Sequence, residues 1–254
     1  MQKTALITGA SGGIGRATAR LLVQSGVALI LHGHANRAAL ESLAAELKTR
    51  HPQVNTTTVY ADLSLKAEQD RLMDLVLNLG VVPDILVLAA GYDLMRAAMR
   101  QLPFDERFAK LWQVDVVSAV RLARCFGERM KPEGAIVFFG WDGVEYGMAG
   151  ETAQLYAAAK GAVQGFSRSL AKSLAPEVRV NCVAPGWIQT TWGETASPAT
   201  DERVAAGSLA RRWGTAEEVA EVVRFLVSDA AAYINNQTIY VNGGHGDRGF
   251  FQRG

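Results

Sequence analysis

Short apolar runs alternate with amphipathic stretches along most of the chain. Ala5-Leu6-Ile7, Val27 to Leu31, Val54 to Tyr60, Ile85 to Ala89, Ala135 to Phe139, Val178 to Ala184 and Gln237 to Val241 are brief and rich in aliphatic or β-branched side chains, which predicts strands. Between them, helical spacing begins at Arg16 and recurs over Ala38 to Lys48, Ala67 to Leu79 and a long stretch from about Asp105 to Met130. A last helix is expected over Val219 to Val227, introduced by Thr215 and Glu218 at the spacing of a cap. Strands alternating with helices predict an α/β fold, a doubly wound sheet of about seven parallel strands flanked by helices. No composition shift, linker or repeat divides residues 1–254, so one domain is expected.

Composition removes several function classes. The 26 basic residues balance 25 acidic ones, for a formal net charge of +1, and offer no general attraction to nucleic acid or a membrane surface. Whatever is bound must be recognised locally. No apolar run approaches the ~18 residues of a membrane span. Cys125 and Cys182 stand apart, without metal-ligand spacing, and read as core residues in a reducing compartment. A soluble cytoplasmic protein is the expectation.

The first chemistry lies between the first strand and the first helix, where Thr8 to Gly15 reads TGASGGIG. Gly9, Gly13 and Gly15 permit a tight turn and a close approach of backbone to ligand. The unpaired N–H groups and positive dipole end of the following helix suit a pyrophosphate. After the second strand the chain reads His32-Gly33-His34-Ala35-Asn36-Arg37, with no carboxylate to accept a bond from a ribose 2′-hydroxyl or to repel a 2′-phosphate. His32 and His34 lack a third ligand nearby in sequence, so a metal is not expected.

Further along, Tyr156-Ala-Ala-Ala-Lys160 sets a phenol and an ammonium one helical turn apart on one face. A neighbouring cation favours phenolate and lowers a tyrosine's pKa from ~10 toward neutrality. Tyr156 is thereby a candidate general acid for a carbonyl oxygen, with Lys160 its partner.

These motifs resemble those of the short-chain dehydrogenase/reductase family, and the resemblance runs from about Lys3 to Gly244. TGxxxGxG with YxxxK followed by Gly161-Ala162-Val163 is far more specific than either motif alone. The resemblance implies a Rossmann-type fold and an NAD(P)(H)-dependent oxidoreductase acting on CH-OH or C=O groups, most often a homotetramer, with a homodimer the other arrangement. It assigns Gly9, Ser11, Gly13, Ile14 and Gly15 to the pyrophosphate, and Asp62 with Leu63 to the adenine. Ala90 and Gly91 leave room for the ribose, in a Leu88-Ala89-Ala90-Gly91 stretch where the family usually shows Asn-Asn-Ala-Gly. Pro185, Gly186, Ile188 and Thr190 match the turn that holds the nicotinamide carboxamide, and Lys160 the group that holds the nicotinamide ribose. The family's NAD-selecting aspartate would fall near Gly33, and Asn36 with Arg37 resembles a phosphate-accepting pair, which favours NADP(H) over NAD(H).

Two catalytic positions depart from the family. Asp115 stands where an asparagine's backbone carbonyl holds a water beside the lysine. The family's catalytic serine is absent from Gly140-Trp141-Asp142-Gly143-Val144-Glu145-Tyr146, a loop that looks about two residues longer than in the 3-oxoacyl-carrier-protein reductases. Three readings stay open: Asp142 replaces the serine and orients a pterin-like substrate through its N–H groups, Tyr146 or Thr152 supplies the hydroxyl, or the chain is a dinucleotide-binding sensor or scaffold with little turnover. Glu145 and Glu151 near the entrance favour a neutral or cationic substrate. Residues 191–214, with Trp192, Pro198 and Trp213, match the family's mobile substrate lid. The tail with Arg248, Phe250, Phe251 and Arg253 is read as a subunit contact or a disordered end.

Overall fold

The computed structural model describes residues 2–95, 97–190 and 197–245, and for Ala97 only the backbone. Residues 191–196 of the expected lid, with Trp192, and residues 246–254 of the tail, with Arg248, Phe250, Phe251 and Arg253, lie outside the described residues. The first half runs β1 (Thr4–Thr8), α1 (Gly13–Gln24), β2 (Ala28–Gly33), α2 (Arg37–Arg50), β3 (Thr56–Tyr60), α3 (Lys66–Asn78) and β4 (Ile85–Leu88). The second half runs α4 (Ala97–Arg100), α5 (Phe104–Leu111), α6 (Ser118–Gly127), β5 (Gly134–Phe139), α7 (Gly143–Tyr146), α8 (Glu151–Leu174) and β6 (Val178–Pro185), then β7 (Ile188–Gln189), α9 (Pro198–Gly207), β8 (Gly214–Thr215), α10 (Ala216–Leu226) and β9 (Thr238–Val241).

Seven strands form one parallel sheet in the order β3-β2-β1-β4-β5-β6-β9. Their side chains alternate between two cores, as the period of a strand requires. Ala5, Ile7, Ile85, Val87, Ala135 and Val137 face the layer of α1, α2 and α10. Leu6, Leu86, Leu88, Ile136 and Phe138 face that of α3, α6 and α8. The strand order reverses between β1 and β4, so the crevice for a ligand opens there, beyond the carboxyl ends of the strands.

Three local features shape that edge. Thr215 and Glu218 close the expected capping box at the start of α10. The two-residue strands β7 and β8 pair with each other and so bracket the segment expected to be a lid. The stretch expected as one long helix is interrupted: between α5 and α6, Trp112 to Val117 is a π-helical turn. A π turn inserts one residue into the spiral without breaking it, which apolar spacing does not register, and such turns are frequent at functional sites.

His32 ties three strand ends together. Its Nδ1 accepts from the Gly9 N–H at 3.4 Å, its carbonyl accepts from the Ala10 N–H at 2.9 Å, and its Nε2 lies 3.1 Å from the Ala61 carbonyl. A carbonyl only accepts and an amide N–H only donates, so the neutral tautomer with hydrogen on Nε2 satisfies both. Burial, with a smaller push from the nearby His34, takes the imidazole down to about 4, against the bond to Ala61, which works to raise it.

Two stability predictions follow from this packing. Phe138 is fully buried and meets Phe166 edge-on at 5.9 Å, and Phe138→Ala should cost about 3–5 kcal/mol in urea unfolding. For His32 the unfolded imidazole, at ~6.5, takes a proton before the folded one does, so its contribution is fully present above that pH. As pH falls from ~6.5 toward 4, up to about 3 kcal/mol is lost. His32→Asn should therefore be less stable at neutral pH yet show a flatter stability profile between pH ~7 and ~5; an unchanged slope counts against this role.

Candidate active site

The glycine turn is shaped by what it touches. Gly9 sits at φ +66°, and a Cβ there would stand 2.8 Å from the main chain of Ala89 and Ala90; one on Gly15 would stand 2.4 Å from the Gly9 carbonyl. Both positions exclude a side chain. The Ala90 N–H donates to Thr8 Oγ1 at 3.1 Å, so a hydroxyl from β1 ties the β4 exit where the family's asparagine amides are missing. Gly12 caps α1 without a side-chain bond, which leaves the first amides of a 12-residue helix open to an anion. An open helix end and a turn with no room for Cβ atoms fit the pyrophosphate of a dinucleotide.

At the adenosine end the expected residues already have partners in the protein. The Asn36 side chain caps α2 by accepting from the Ala39 N–H at 3.2 Å, and the Arg37 guanidinium lies over the Tyr60 ring, 4.4 Å from its centre. The pair expected at a 2′-phosphate is thus engaged by α2 and the edge strand β3. Closer to Asp62, the His34 imidazole stands with Nε2 3.6 Å from the Asp62 carboxylate. Asp62 also accepts from the Ser64 N–H at 2.9 Å. Burial works to raise its carboxyl, but the bonds from Ser64 and the proximity of His34 outweigh it and hold it below the usual range. Leu63, beside it, is buried.

At the centre, α8 presents Thr152, Tyr156 and Lys160 at successive four-residue steps on one face. Lys160 Nζ lies 2.7 Å from Asp115 Oδ2, in a pair whose side chains are 13% and 1% exposed. Asp115 Oδ1 accepts from the Tyr92 N–H at 2.7 Å, and the Tyr156 hydroxyl donates to the Tyr92 carbonyl at 3.2 Å. One peptide residue therefore holds both halves of the YxxxK pair. The π turn carries Asp115 to this point, and Gly91 makes room, since a Cβ there would stand 3.3 Å from Asp115 Oδ2.

Asp115 meets Lys160 through its carboxylate. One expectation is corrected here. The Tyr156 hydroxyl, expected to be lowered by Lys160, is instead raised well above its ordinary value: burial is the main cause, and the charges of Asp115 and Asp93 add to it against a backbone hydrogen bond at Leu94. The physical reason is first that the phenol is buried, and second that the Asp115 carboxylate, which also meets Lys160 at contact distance, opposes a phenolate beside it.

The place of the missing serine is divided between two residues. The Trp141 ring packs at 6.2 Å from that of Tyr156, and its carbonyl accepts from Gln164. Asp142 Oδ2 accepts from Asn242 Nδ2 at 3.2 Å and lies against Gly186, where a Cβ would be 2.9 Å away. Burial raises the Asp142 carboxyl, with Asn242 opposing. The extra loop length is taken up by the single turn α7. Tyr146, at its end, is exposed and stacks on His245 at 4.0 Å, whereas Thr152 is half-buried, one turn before Tyr156. Glu145 accepts from the Tyr240 hydroxyl at 3.3 Å, and Glu151 pairs with the buried Arg107, so neither presents an unengaged charge to a substrate.

At the far end of the crevice, Gly186 donates to the Val241 carbonyl at 3.1 Å, and Thr190 folds over the glycine turn, its Cγ2 3.0 Å from where a Cβ of Gly13 would be. Ile188 is buried, and Trp187 meets Trp213 edge-on at 5.7 Å, with Arg203 over its ring. The turns after β1, β2, β3, β4, β5 and β6 thus converge on one edge, which brings together the glycine turn, Ala90-Gly91, the YxxxK face and Pro185 to Thr190. His32 and Tyr92 are the participants that sequence reasoning missed, one hidden as a polar residue in an apolar strand and the other acting only through its backbone.

Comparison with known proteins agrees with this geometry. The family model described as enoyl-(acyl carrier protein) reductase matches residues 9–245. The uncharacterized oxidoreductase YmfI of Bacillus subtilis (strain 168) is 36% identical over 255 residues, covering 96% of this chain and 99% of its own. The 3-oxoacyl-[acyl-carrier-protein] reductase FabG of Escherichia coli (strain K12) is 34% identical over 246 residues, covering 95% and 96%. A crystal structure of a short chain dehydrogenase from Burkholderia cenocepacia J2315 in complex with NADP superposes with a TM-score of 0.82 at 25% identity, covering 95% of this chain and 97% of that one. Matched over nearly its whole length, and with the glycine turn and the Tyr156–Lys160 face meeting at one sheet edge, the chain belongs to the short-chain dehydrogenase/reductase family of oxidoreductases.

Proposed function

We propose that this chain is an NADPH-dependent reductase of a ketone- or 3-oxoacyl-type carbonyl, with Tyr156 as the proton donor. The observation that carries the reading is the half-buried Tyr156 hydroxyl, which donates to the Tyr92 carbonyl and is favoured as a phenol by its burial. When bound, the nicotinamide supplies hydride to the carbonyl carbon. Tyr156 releases the Tyr92 carbonyl and gives its proton to the carbonyl oxygen, then regains one from water. The α1 amides hold the pyrophosphate, Asp62 and Leu63 the adenine, Lys160 the nicotinamide ribose, and Ile188 and Thr190 the carboxamide.

NADPH is favoured because no carboxylate stands between His32 and Arg37. His34 is there to meet a phosphate, and the Burkholderia relative carries NADP. A carbonyl substrate is favoured over a pterin-like C=N because Asp142 is engaged by Asn242 and because FabG, named for 3-oxoacyl reduction, is among the relatives. Thr152, on the Tyr156 face, is the hydroxyl that takes over from the serine, and Trp141 forms an apolar wall beside it.

The test is NADPH consumption by the purified protein over 3-oxoacyl thioesters, ketones, quinones and pterins. Turnover on the first two classes is expected, to fall by about 10²-fold or more in Tyr156→Phe and to fall in Thr152→Val but not in Tyr146→Phe. NADPH should give the higher kcat/KM than NADH, and His34→Asp should narrow that preference. Tight NADPH binding with no substrate reduced would overturn the reading.

A further inference from the structure

Resting on the reading of Tyr156 as proton donor, we propose that Asp115 is a positioning residue that holds the charge of Lys160 away from the Tyr156 hydroxyl and so keeps that hydroxyl protonated to higher pH. The argument is geometric. Lys160 is bound at 2.7 Å to a carboxylate that is 1% exposed, on a π turn, with its second oxygen fixed by the Tyr92 amide. An uncharged amide at this position would leave the ammonium's charge to act on the phenol. A buried carboxylate cancels that charge locally, and in a low-dielectric interior a pair at contact distance acts outward far less than a lone cation.

The charges that face the phenol come from each surrounding element. Asp115 approaches from the π turn, Asp93 from the loop after β4, and Lys160 from α8 itself. Lys160 also faces the Cys182 thiol on β6, which burial pushes up to about 12. Two carboxylates and burial oppose phenolate, and Lys160 is already paired. In the reducing direction the tyrosine must start as a phenol, and in the oxidising direction as a phenolate. Asp115 therefore keeps the phenol form to higher pH; at any one pH its effect on kcat/KM is the same in both directions, since the overall equilibrium is unaltered.

The test reads the tyrosine itself. The chain is labelled with 13Cζ-tyrosine, the Tyr156 signal is assigned from Tyr156→Phe, and the signal is followed by NMR as pH rises. Asp115→Asn should lower the Tyr156 midpoint by about one pH unit or more, and Asp115→Glu, which keeps the charge, should stay near the parent. With phenanthrenequinone as carbonyl probe, the alkaline limb of kcat/KM should move down by the same amount in Asp115→Asn. Should that variant not fold, Asp115→Ser, smaller and equally uncharged, carries the same expectation. An unchanged midpoint in the folded uncharged variant overturns the proposal, even if carbonyls are reduced. A shifted midpoint without turnover of any carbonyl leaves Asp115's role standing and removes the reductase reading instead.

Discussion

The close seating of the glycine turn on the end of β4 is the constraint that the rest of this molecule is built around. Gly9 allows the main chain of β1 to meet that of Ala89 and Ala90, and Gly15 lets α1 begin against the Gly9 carbonyl. With both in place the β1 and β4 exits lie side by side at the switch point of the sheet, and the open amide end of α1 faces the crevice. His32 holds the same turn to β2 and to Ala61 beyond β3. Thr8 holds it to β4. The crevice is therefore a product of backbone proximity, and its polar groups are mostly amides and carbonyls.

The catalytic groups hang from that frame through one residue. Tyr92 leaves β4 with its N–H on Asp115 and its carbonyl on Tyr156. Because Asp115 also holds Lys160, four elements are joined by a few short bonds: the β4 exit, the π turn, and two successive turns of α8. A neutral amide at position 115 offers the ammonium no charge to pair with, and the buried carboxylate costs desolvation that the ion pair and the Tyr92 amide together offset. Beside this network the serine-less loop has turned outward. Asp142 looks to Asn242 and Gly186, and Trp141 lies along the Tyr156 ring.

Much of this was legible in the chain itself. Strand positions followed from short apolar runs, helices from apolar spacing, and the α10 start from Thr215 and Glu218, because each is a local pattern that tertiary packing reinforces. A doubly wound parallel sheet followed from the alternation of strands with helices, while the order of its strands came from the fold. The glycine turn and the Tyr156–Lys160 face were readable because spacing along a turn or a helix is itself geometry.

Only the tertiary structure decided which charge meets which. Asp115 and Lys160 are far apart in sequence, and their contact depends on a one-residue π insertion that hydrophobic periodicity does not encode. Burial of the phenol, with the Asp115 charge added to it, gave the Tyr156 hydroxyl a shift opposite in sign to the one that the YxxxK spacing implied. Asn36 and Arg37, suited by type to a phosphate, were claimed by a helix cap and an aromatic ring within a few residues' reach. The sequence by itself determined the fold and the inventory of reactive groups, since both rest on local periodicity and residue type. Their pairing, and hence their protonation, was left to the fold, because electrostatic energy depends on distance and burial in space rather than on position along the chain.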